Sequence, residues 1–187
     1  MNKGKNFEKC WQDSCKEDGV CCIRLVDSNQ FGFGGNTNTR FTPDNICDFI
    51  CHYKDTMFLL ELKHTQGSSI SFNQPVMEKG DGTYMIKPKQ IKRLMDYKDY
   101  ENVIPMLILD FEDRVDSKGN VIDGGTYAIH VENFVNWTRQ VPKKSINIHD
   151  CKQIGIPIYR QLKKVNYEYY VEDFLSQFTF DESMWFD

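Results

Sequence analysis

The stretch Asp48-Phe-Ile-Cys-His-Tyr-Lys-Asp-Thr-Met-Phe-Leu-Leu-Glu-Leu-Lys63 decides the fold of this chain, because it has the pattern of a β-hairpin. Two apolar arms flank Lys54-Asp55, which suits a two-residue turn. With the turn at that place, Asp48 lies directly opposite Glu61, and opposed residues in a hairpin have Cβ atoms only about 4.5–5.5 Å apart. The hairpin therefore predicts that two carboxylates meet across a pair of strands.

Facing carboxylates at this position indicate a cation site. Two like charges so close repel each other, whereas a divalent cation between them makes the interaction favourable. Lys63 follows Glu61 by two residues and so extends from the same face of its strand. An acid, a facing acid and a lysine on the same face form the constellation of a metal-dependent phosphodiesterase. We therefore interpret the chain as a nuclease.

Each of these residues also has a simpler structural interpretation. Asp48 suits the end of a strand, Glu61 suits an ion pair with Lys63, and Lys63 suits an exposed surface. Asp44, which follows a proline, competes with Asp48 for the catalytic position. The hairpin partner of Asp44 would lie beyond Glu61, so we favour Asp48.

Composition indicates one domain over residues 1–187. The chain has 187 residues, of which 40% are hydrophobic, and this is enough for a mixed α/β domain with a core. It contains no apolar run of 18 residues, so we expect no membrane partner. The seven cysteines are an odd number without a paired C-x-x-C motif, and we expect reduced thiols in the cytoplasm rather than a structural zinc site.

The net charge of −4 counts against a nucleic-acid-binding protein, although a carboxylate site itself lowers the net charge. Three short basic clusters oppose this trend. A single cluster is more often a solvated face, whereas all three on one surface would indicate DNA binding. The clusters are Lys87, Lys89, Lys92 and Arg93; Arg139, Lys143 and Lys144; and Arg160, Lys163 and Lys164.

Periodicity predicts an alternation of helices and strands around the hairpin. The glycine- and asparagine-rich residues 28–40 predict a mobile loop, and residues 165–187 a C-terminal helical tail. The predicted helices are 2–17, 89–97, 131–139 and 167–178, and the further strands are 21–26, 104–111 and 127–131.

The order of these features resembles the PD-(D/E)XK nuclease superfamily and, more narrowly, the RecU-type Holliday junction resolvases. The resemblance covers roughly residues 2–112. It implies a single restriction-endonuclease-like domain, in which helices flank a central mixed β-sheet. The matching residues are the block Asn2-Lys3-Gly4-Lys5-Asn6-Phe7-Glu8, the hairpin set Asp48, Glu61 and Lys63, and the segments Ser71-Phe72 and Gln90-Ile91.

The resemblance also implies a chemistry. Asp48 and Glu61, with the carbonyl of Leu62, would hold Mg²⁺ or Mn²⁺, which prefer oxygen ligands. Lys63 would contact the scissile phosphate and stabilise the attacking hydroxide. Glu8 would orient a water on the metal, although a solvated helix face is its alternative. Gln90 would hydrogen-bond to such a water or to the phosphate.

The expected substrate is a four-way DNA junction, cut by a homodimer because two incisions need two sites. In the RecU-type family a basic protrusion engages the junction, whereas residues 28–42 of this chain carry only one charged residue. A restriction-like or repair nuclease on duplex DNA, or a non-catalytic protein that binds branched DNA, are the alternatives. The expected DNA contacts are Arg24, Arg40, Lys87, Lys89, Lys92 and Arg93.

Overall fold

The computed structural model describes residues 3–25, 45–80 and 82–179. These residues form a mixed α/β fold, as the sequence predicts. The helices are α1 (Lys3–Glu17), α2 (Pro88–Met95), α3 (Val131–Gln140), α4 (Ile148–Ile154) and α5 (Val171–Ser176). The strands are β1 (Cys21–Arg24), β2 (Phe49–Tyr53), β3 (Thr56–Thr65), β4 (Ser69–Ser71), β5 (Val103–Phe111), β6 (Arg114–Val115), β7 (Val121–Ile122), β8 (Gly125–His130), β9 (Ser145–Asn147), β10 (Ile156–Ile158), β11 (Arg160–Lys163) and β12 (Asn166–Tyr169).

A mixed six-stranded sheet forms the centre of the fold, in the order β1-β2-β3-β5-β8-β10. The predicted hairpin is β2–β3, and its turn lies at Lys54-Asp55 as expected. Its register is also the predicted one, since Tyr53 pairs with Thr56 and Phe49 pairs with Leu60. β3 and β5 run parallel, with α2 in the connection between them, and the other neighbouring strands of this sheet are antiparallel.

Helices cover both faces of the central sheet, which explains why its middle strands are apolar on both sides. Side chains of α1 and α5 form one core with alternate residues of β3 and β5, including Leu60 and Ile108. Side chains of α2, α3 and α4 form a second core with the residues in between, including Leu59 and Leu107. Successive residues of β3 therefore face different cores, which fixes the sides of the sheet on which Glu61 and His64 lie.

Several elements differ from the sequence-based expectation. The predicted helix 167–178 is divided between β12 and the shorter α5, because Tyr167 and Tyr169 pair with β11. The irregular segment 64–82 contains β4, which pairs with β9. The predicted loop 28–40, Asp44, Arg40 and the last eight residues of the predicted tail lie outside the described residues.

The cysteines also differ in part from the expectation of reduced thiols. Cys22 and Cys51 face each other on β1 and β2 and form a disulfide. Five other cysteines are free thiols. In the described part of the chain, every helix is too short or too polar to cross a membrane.

Candidate active site

The predicted carboxylates line a polar cavity of about 200 Å³ beside the open end of the β2–β3 hairpin. α1, β1, the hairpin and α2 all contribute to its wall. The cavity therefore contains groups that are far apart in the sequence. Its lining residues are Lys5, Glu8, Arg24, Leu25, Asn45, Cys47, Asp48, Glu61, Gln90 and Arg93.

Asp48 lies just before β2, where the regular strand ladder ends. Its backbone N–H donates to the carbonyl of Leu60 at 3.1 Å, so the chain is still held against β3 at this point. Its side-chain Oδ2 accepts a hydrogen bond from the backbone N–H of Leu62 at 2.7 Å. The Leu62 N–H, which would otherwise bond to a backbone carbonyl of the neighbouring strand, thus bonds to the Asp48 side chain. This bond holds the Asp48 carboxylate beside Glu61.

Glu61 is a buried acid in the middle of an apolar strand, with only 2% of its surface exposed. Lys63 Nζ donates to Glu61 Oε1 at 2.6 Å. Burial, with the nearby Asp48 carboxylate, raises the pKa of Glu61 to about 7 against the lowering effect of the Lys63 ammonium. The Asp48 carboxylate therefore disfavours the charged form of Glu61.

Gln90 reaches Glu61 from the first turn of α2. Its Oε1 accepts a hydrogen bond from the backbone N–H of Lys87 at 2.9 Å, which caps the start of the helix. Its Nε2 donates to Glu61 Oε1. Because both ends of the amide are engaged, the capping bond fixes the orientation in which Gln90 meets the carboxylate.

Glu8 extends into the same cavity from α1 and forms an ion pair with Arg24 of β1. Burial raises the pKa of Glu8, against the lowering effect of the Arg24 guanidinium, and the Asp48 carboxylate raises it further. Glu8 is therefore part of the same electrostatic cluster as the hairpin acids, rather than a solvated helix face.

The predicted DNA contacts fall into two groups. Arg24 and Arg93 line the cavity itself, and an Nη1–H of Arg93 donates to the carbonyl of Asn45 at 2.6 Å. Lys87, just before α2, and Lys89 and Lys92 on the helix are exposed and line a neighbouring cavity of about 500 Å³. The cavity therefore has arginines at its wall and lysines on the adjacent surface.

The other two basic clusters are largely engaged within the fold. Lys143 pairs with Asp150 at 2.6 Å, and Lys163 pairs with Glu168 at 2.6 Å. The Arg160 guanidinium is buried against Asp110. At least one cation of each cluster is therefore paired with an acid of the fold.

Sequence reasoning missed Lys5, Leu25, Asn45 and Cys47 as cavity residues. Lys5 carries a signal that could have been used, because it precedes Glu8 by three residues and so shares a helical face with it. The others lie in irregular segments, whose paths no periodic pattern specifies. The carbonyl of Leu62 remains a predicted ligand.

The donor set fits a hard divalent cation. Asp48 and Glu61 offer carboxylate oxygens, and Glu61 accepts hydrogen bonds from the Lys63 ammonium and the Gln90 amide. Oxygen ligands together with waters are what Mg²⁺ and Mn²⁺ prefer. Such an ion would offset both the burial of the Glu61 charge and the smaller repulsion from Asp48, which together raise the pKa of Glu61.

Known proteins include chains that are similar to this one in sequence or in fold. No protein-family model matches the sequence. The chain is 29% identical over 182 residues to the SPbeta prophage-derived uncharacterized protein YotM of Bacillus subtilis (strain 168), covering 91% of this chain and 83% of that protein. The fold of this chain is similar to that of Hjc, a Holliday junction resolvase of the archaeal hyperthermophile Archaeoglobus fulgidus, with a TM-score of 0.48. The two sequences are 11% identical, and the match covers 82% of this chain and 95% of Hjc.

Proposed function

We propose that this protein is a metal-dependent endonuclease that cleaves DNA, and that its substrate is a branched molecule such as a four-way junction. The observation that supports this best is the position of Asp48 and Glu61 in one cavity, with Lys63 and Gln90 bonded to Glu61. A buried acid next to a second acid is unfavourable for folding alone, so a function is the better explanation.

Each residue has a definite role in this proposal. Asp48 and Glu61 would hold the metal ion, with the Leu62 carbonyl as a further ligand. When bound, Mg²⁺ or Mn²⁺ would polarise the scissile phosphate and lower the pKa of a nucleophilic water. Lys63, which is mostly buried beside Glu61, would place its ammonium against the phosphate and stabilise the negative charge that develops there.

Gln90 and Glu8 would complete the site from the two helices. Gln90 is held by its capping bond and can donate to a water or to a phosphate oxygen without reorganisation. Glu8 would accept a proton or orient a water, and its ion pair with Arg24 keeps it in the cavity. Arg24 and Arg93 would meet the DNA backbone close to the cleaved bond.

The preference for branched DNA and the homodimer are the finer parts of the proposal. They rest on the resemblance to RecU-type resolvases and on symmetry, since two incisions in one junction need two sites. The exposed Lys87, Lys89 and Lys92 beside the cavity would bind a second segment of backbone.

The proposal is tested by cleavage of a synthetic four-way junction beside its matching linear arms, with and without Mg²⁺. We expect Asp48→Asn, Glu61→Gln and Lys63→Ala to reduce cleavage by at least about a hundredfold, while junction binding persists. Glu101→Gln, an exposed carboxylate away from the cavity, should cleave like wild type.

The outcomes separate the candidate functions. Equal cleavage of the junction and of the linear arms would favour a restriction-like or repair nuclease on duplex DNA. Branched-DNA binding that needs no metal and no Lys63, without any cleavage, would favour an accessory protein. Wild-type cleavage by Asp48→Asn or Glu61→Gln would refute the assignment of the site.

A further inference from the structure

Three cysteines from three different elements converge on one side of the central sheet. The sulfur atoms of Cys15, Cys22 and Cys51 all lie within 4.8 Å of one another. Cys15 is on α1, Cys22 on β1 and Cys51 on β2. They are 7 to 36 positions apart in the sequence, so no short sequence motif predicts the cluster.

The geometry of the sheet creates this cluster. Cys22 and Cys51 are paired residues of antiparallel strands, with Cα atoms 4.1 Å apart, and both side chains face α1. Cys15 lies near the end of α1, above that pair. The surroundings are dry, because Cys15 is 1% exposed and Cys51 is fully buried.

We propose that the reduced cluster of Cys15, Cys22 and Cys51 binds one thiophilic metal ion, such as Cu⁺ or Zn²⁺. This inference is independent of the proposed nuclease function. The Cys22–Cys51 disulfide must first be reduced, and two molecules of a small thiol supply the two electrons and two protons while they join as a disulfide. The metal ion then replaces thiol protons, which leave to solvent.

The distances and the ligand type both fit such an ion. Zinc–sulfur bonds are about 2.3 Å long, so sulfurs around one ion are about 3.8–4.0 Å apart. The Cys15 sulfur lies within 4.8 Å of the other two and needs only a small shift, whereas the Cys22 and Cys51 sulfurs move apart once their disulfide is reduced. Sulfur ligands in a dry site select soft ions and reject Mg²⁺, which keeps water and prefers oxygen. The cluster would therefore not compete with the carboxylate site for its metal.

The cluster ties together the three segments that carry part of the candidate active site. Cys15 follows Glu8 by two turns of α1, and Cys22 precedes Arg24 by two residues of β1. Cys51 is three residues after Asp48. An ion bound to the three sulfurs would thus fix the relative positions of the helix and the two strands from which these site residues extend.

The test uses Cd²⁺ as the probe, added to the full-length protein after reduction and removal of the reductant. Ultraviolet absorption by sulfur-to-metal charge transfer reports binding directly, and elemental analysis gives the stoichiometry. The background carries Cys21→Ala, which removes an exposed thiol next to the cluster. We expect one Cd²⁺ per chain, and loss of at least nine-tenths of the band in Cys15→Ala and in Cys51→Ala.

Cys151→Ala is the matched control, because Cys151 is an equally buried thiol in the opposite core. Burial raises the pKa of both the Cys15 and Cys151 thiols to about 12, so neither is charged without a metal. The band should persist in Cys151→Ala. Should Cys51→Ala fail to fold, the half-buried Cys22→Ser gives the same test.

Three results would overturn the proposal. The first is an absence of any charge-transfer band in the reduced protein. The second is a band that persists in the cluster variants, because the ion would then bind elsewhere. The third is a Cys22–Cys51 disulfide that mass spectrometry still detects after treatment with a millimolar small thiol.

Discussion

At the scale of single residues, Glu61 combines features that a folding protein normally avoids. It is an acid between Leu60 and Leu62 of a buried strand, and it lies next to a second acid. The Lys63 ammonium and the Gln90 amide compensate for only part of this cost, since the pKa of Glu61 remains raised to about 7. The residue is therefore more stable in the fold when it is protonated.

The first prediction concerns stability and pH. The folded state holds the Glu61 proton more tightly than the unfolded chain does, so the free energy of unfolding should fall as pH rises from about 4.5 to about 7. The full loss from this residue is on the order of 3 kcal/mol. In Glu61→Gln the fall in the free energy of unfolding that comes from this carboxyl should vanish, so that above pH 7 the variant is more stable than metal-free wild type. Urea unfolding at a series of pH values measures the free energy of unfolding of both proteins.

Saturating Mg²⁺ should remove the difference in stability between Glu61→Gln and wild type above pH 7, because a bound cation stabilises the ionised Glu61, which only the wild type has. Glu101→Gln, an exposed acid, should keep the wild-type pH profile. A Glu61→Gln profile parallel to that of wild type would contradict the burial-based explanation.

A second prediction separates two roles of Asp48. Its Oδ2 accepts the backbone N–H of Leu62, and an asparagine carbonyl can accept the same bond. Asp48→Asn should therefore abolish cleavage with little change in melting temperature. Asp48→Ala should abolish cleavage and also lose about 1 kcal/mol of stability. Thermal melts of the two variants measure this, and equal melts would show that the bond adds nothing to stability.

At the scale of elements, α2 has three distinct faces. Ile91 and Leu94 are buried in the core. Gln90 and Arg93 line the carboxylate cavity, while Lys89 and Lys92, with Lys87 at the N-cap, line the adjoining cavity. One helix thus contributes to packing, to the candidate site and to a basic surface.

The third prediction follows from the exposed face of α2. The triple variant Lys87→Ala, Lys89→Ala and Lys92→Ala should bind all DNA sequences more weakly, because phosphate contacts carry no sequence information. If all three lysines contact phosphates, the negative slope of log affinity against log salt concentration should become shallower by about 2.7 in the variant. Fluorescence anisotropy at several salt concentrations measures the slope. Substitution of Arg139, Lys144 and Lys152, all exposed elsewhere, should leave it unchanged.

Elements whose apolar pattern fits one kind of secondary structure were predictable from the sequence. Elements whose pattern fits both a helix and a strand were not. The hairpin register could be read from two apolar arms and one turn, and the observed pairs from Phe49–Leu60 to Tyr53–Thr56 agree with it. The tail failed because Tyr167 and Tyr169 fit an amphipathic helix as well as a strand, and only the partner β11 selects the strand. The cysteine cluster was also invisible, since it depends on which strands become neighbours.

At the scale of the whole molecule, a buried polar network joins the C-terminal hairpin β11–β12 to the central sheet. Asp110 of β5 accepts bonds from Arg160 Nη1 at 2.5 Å and from Thr126 at 2.6 Å. His64 Nδ1 lies 2.7 Å from the other oxygen of Asp110. His64 therefore has a structural partner on the face of β3 away from Lys63, as its place in the sequence predicts.

The fourth prediction concerns this network. Asp110→Asn keeps the shape of the side chain but leaves the Arg160 guanidinium, 8% exposed, without its buried counter-ion. Removing one partner of a buried ion pair typically costs about 3–5 kcal/mol. We expect a loss of that size in urea unfolding, with Mg²⁺ binding unchanged in the folded fraction. Asp113→Asn, whose carboxylate is 48% exposed, should cost clearly less, and equal losses would contradict this explanation.

The parallel pairing of β3 with β5 has a consequence for protein synthesis. Every predicted site residue has left the ribosome's catalytic centre once Arg93 is added, yet Glu61 lies beside Leu107 of a strand that is translated later. Until that strand arrives, β3 has an open edge and Glu61 has no buried environment. A nascent chain that stops before residue 103 should therefore carry every predicted site residue before the site itself can form.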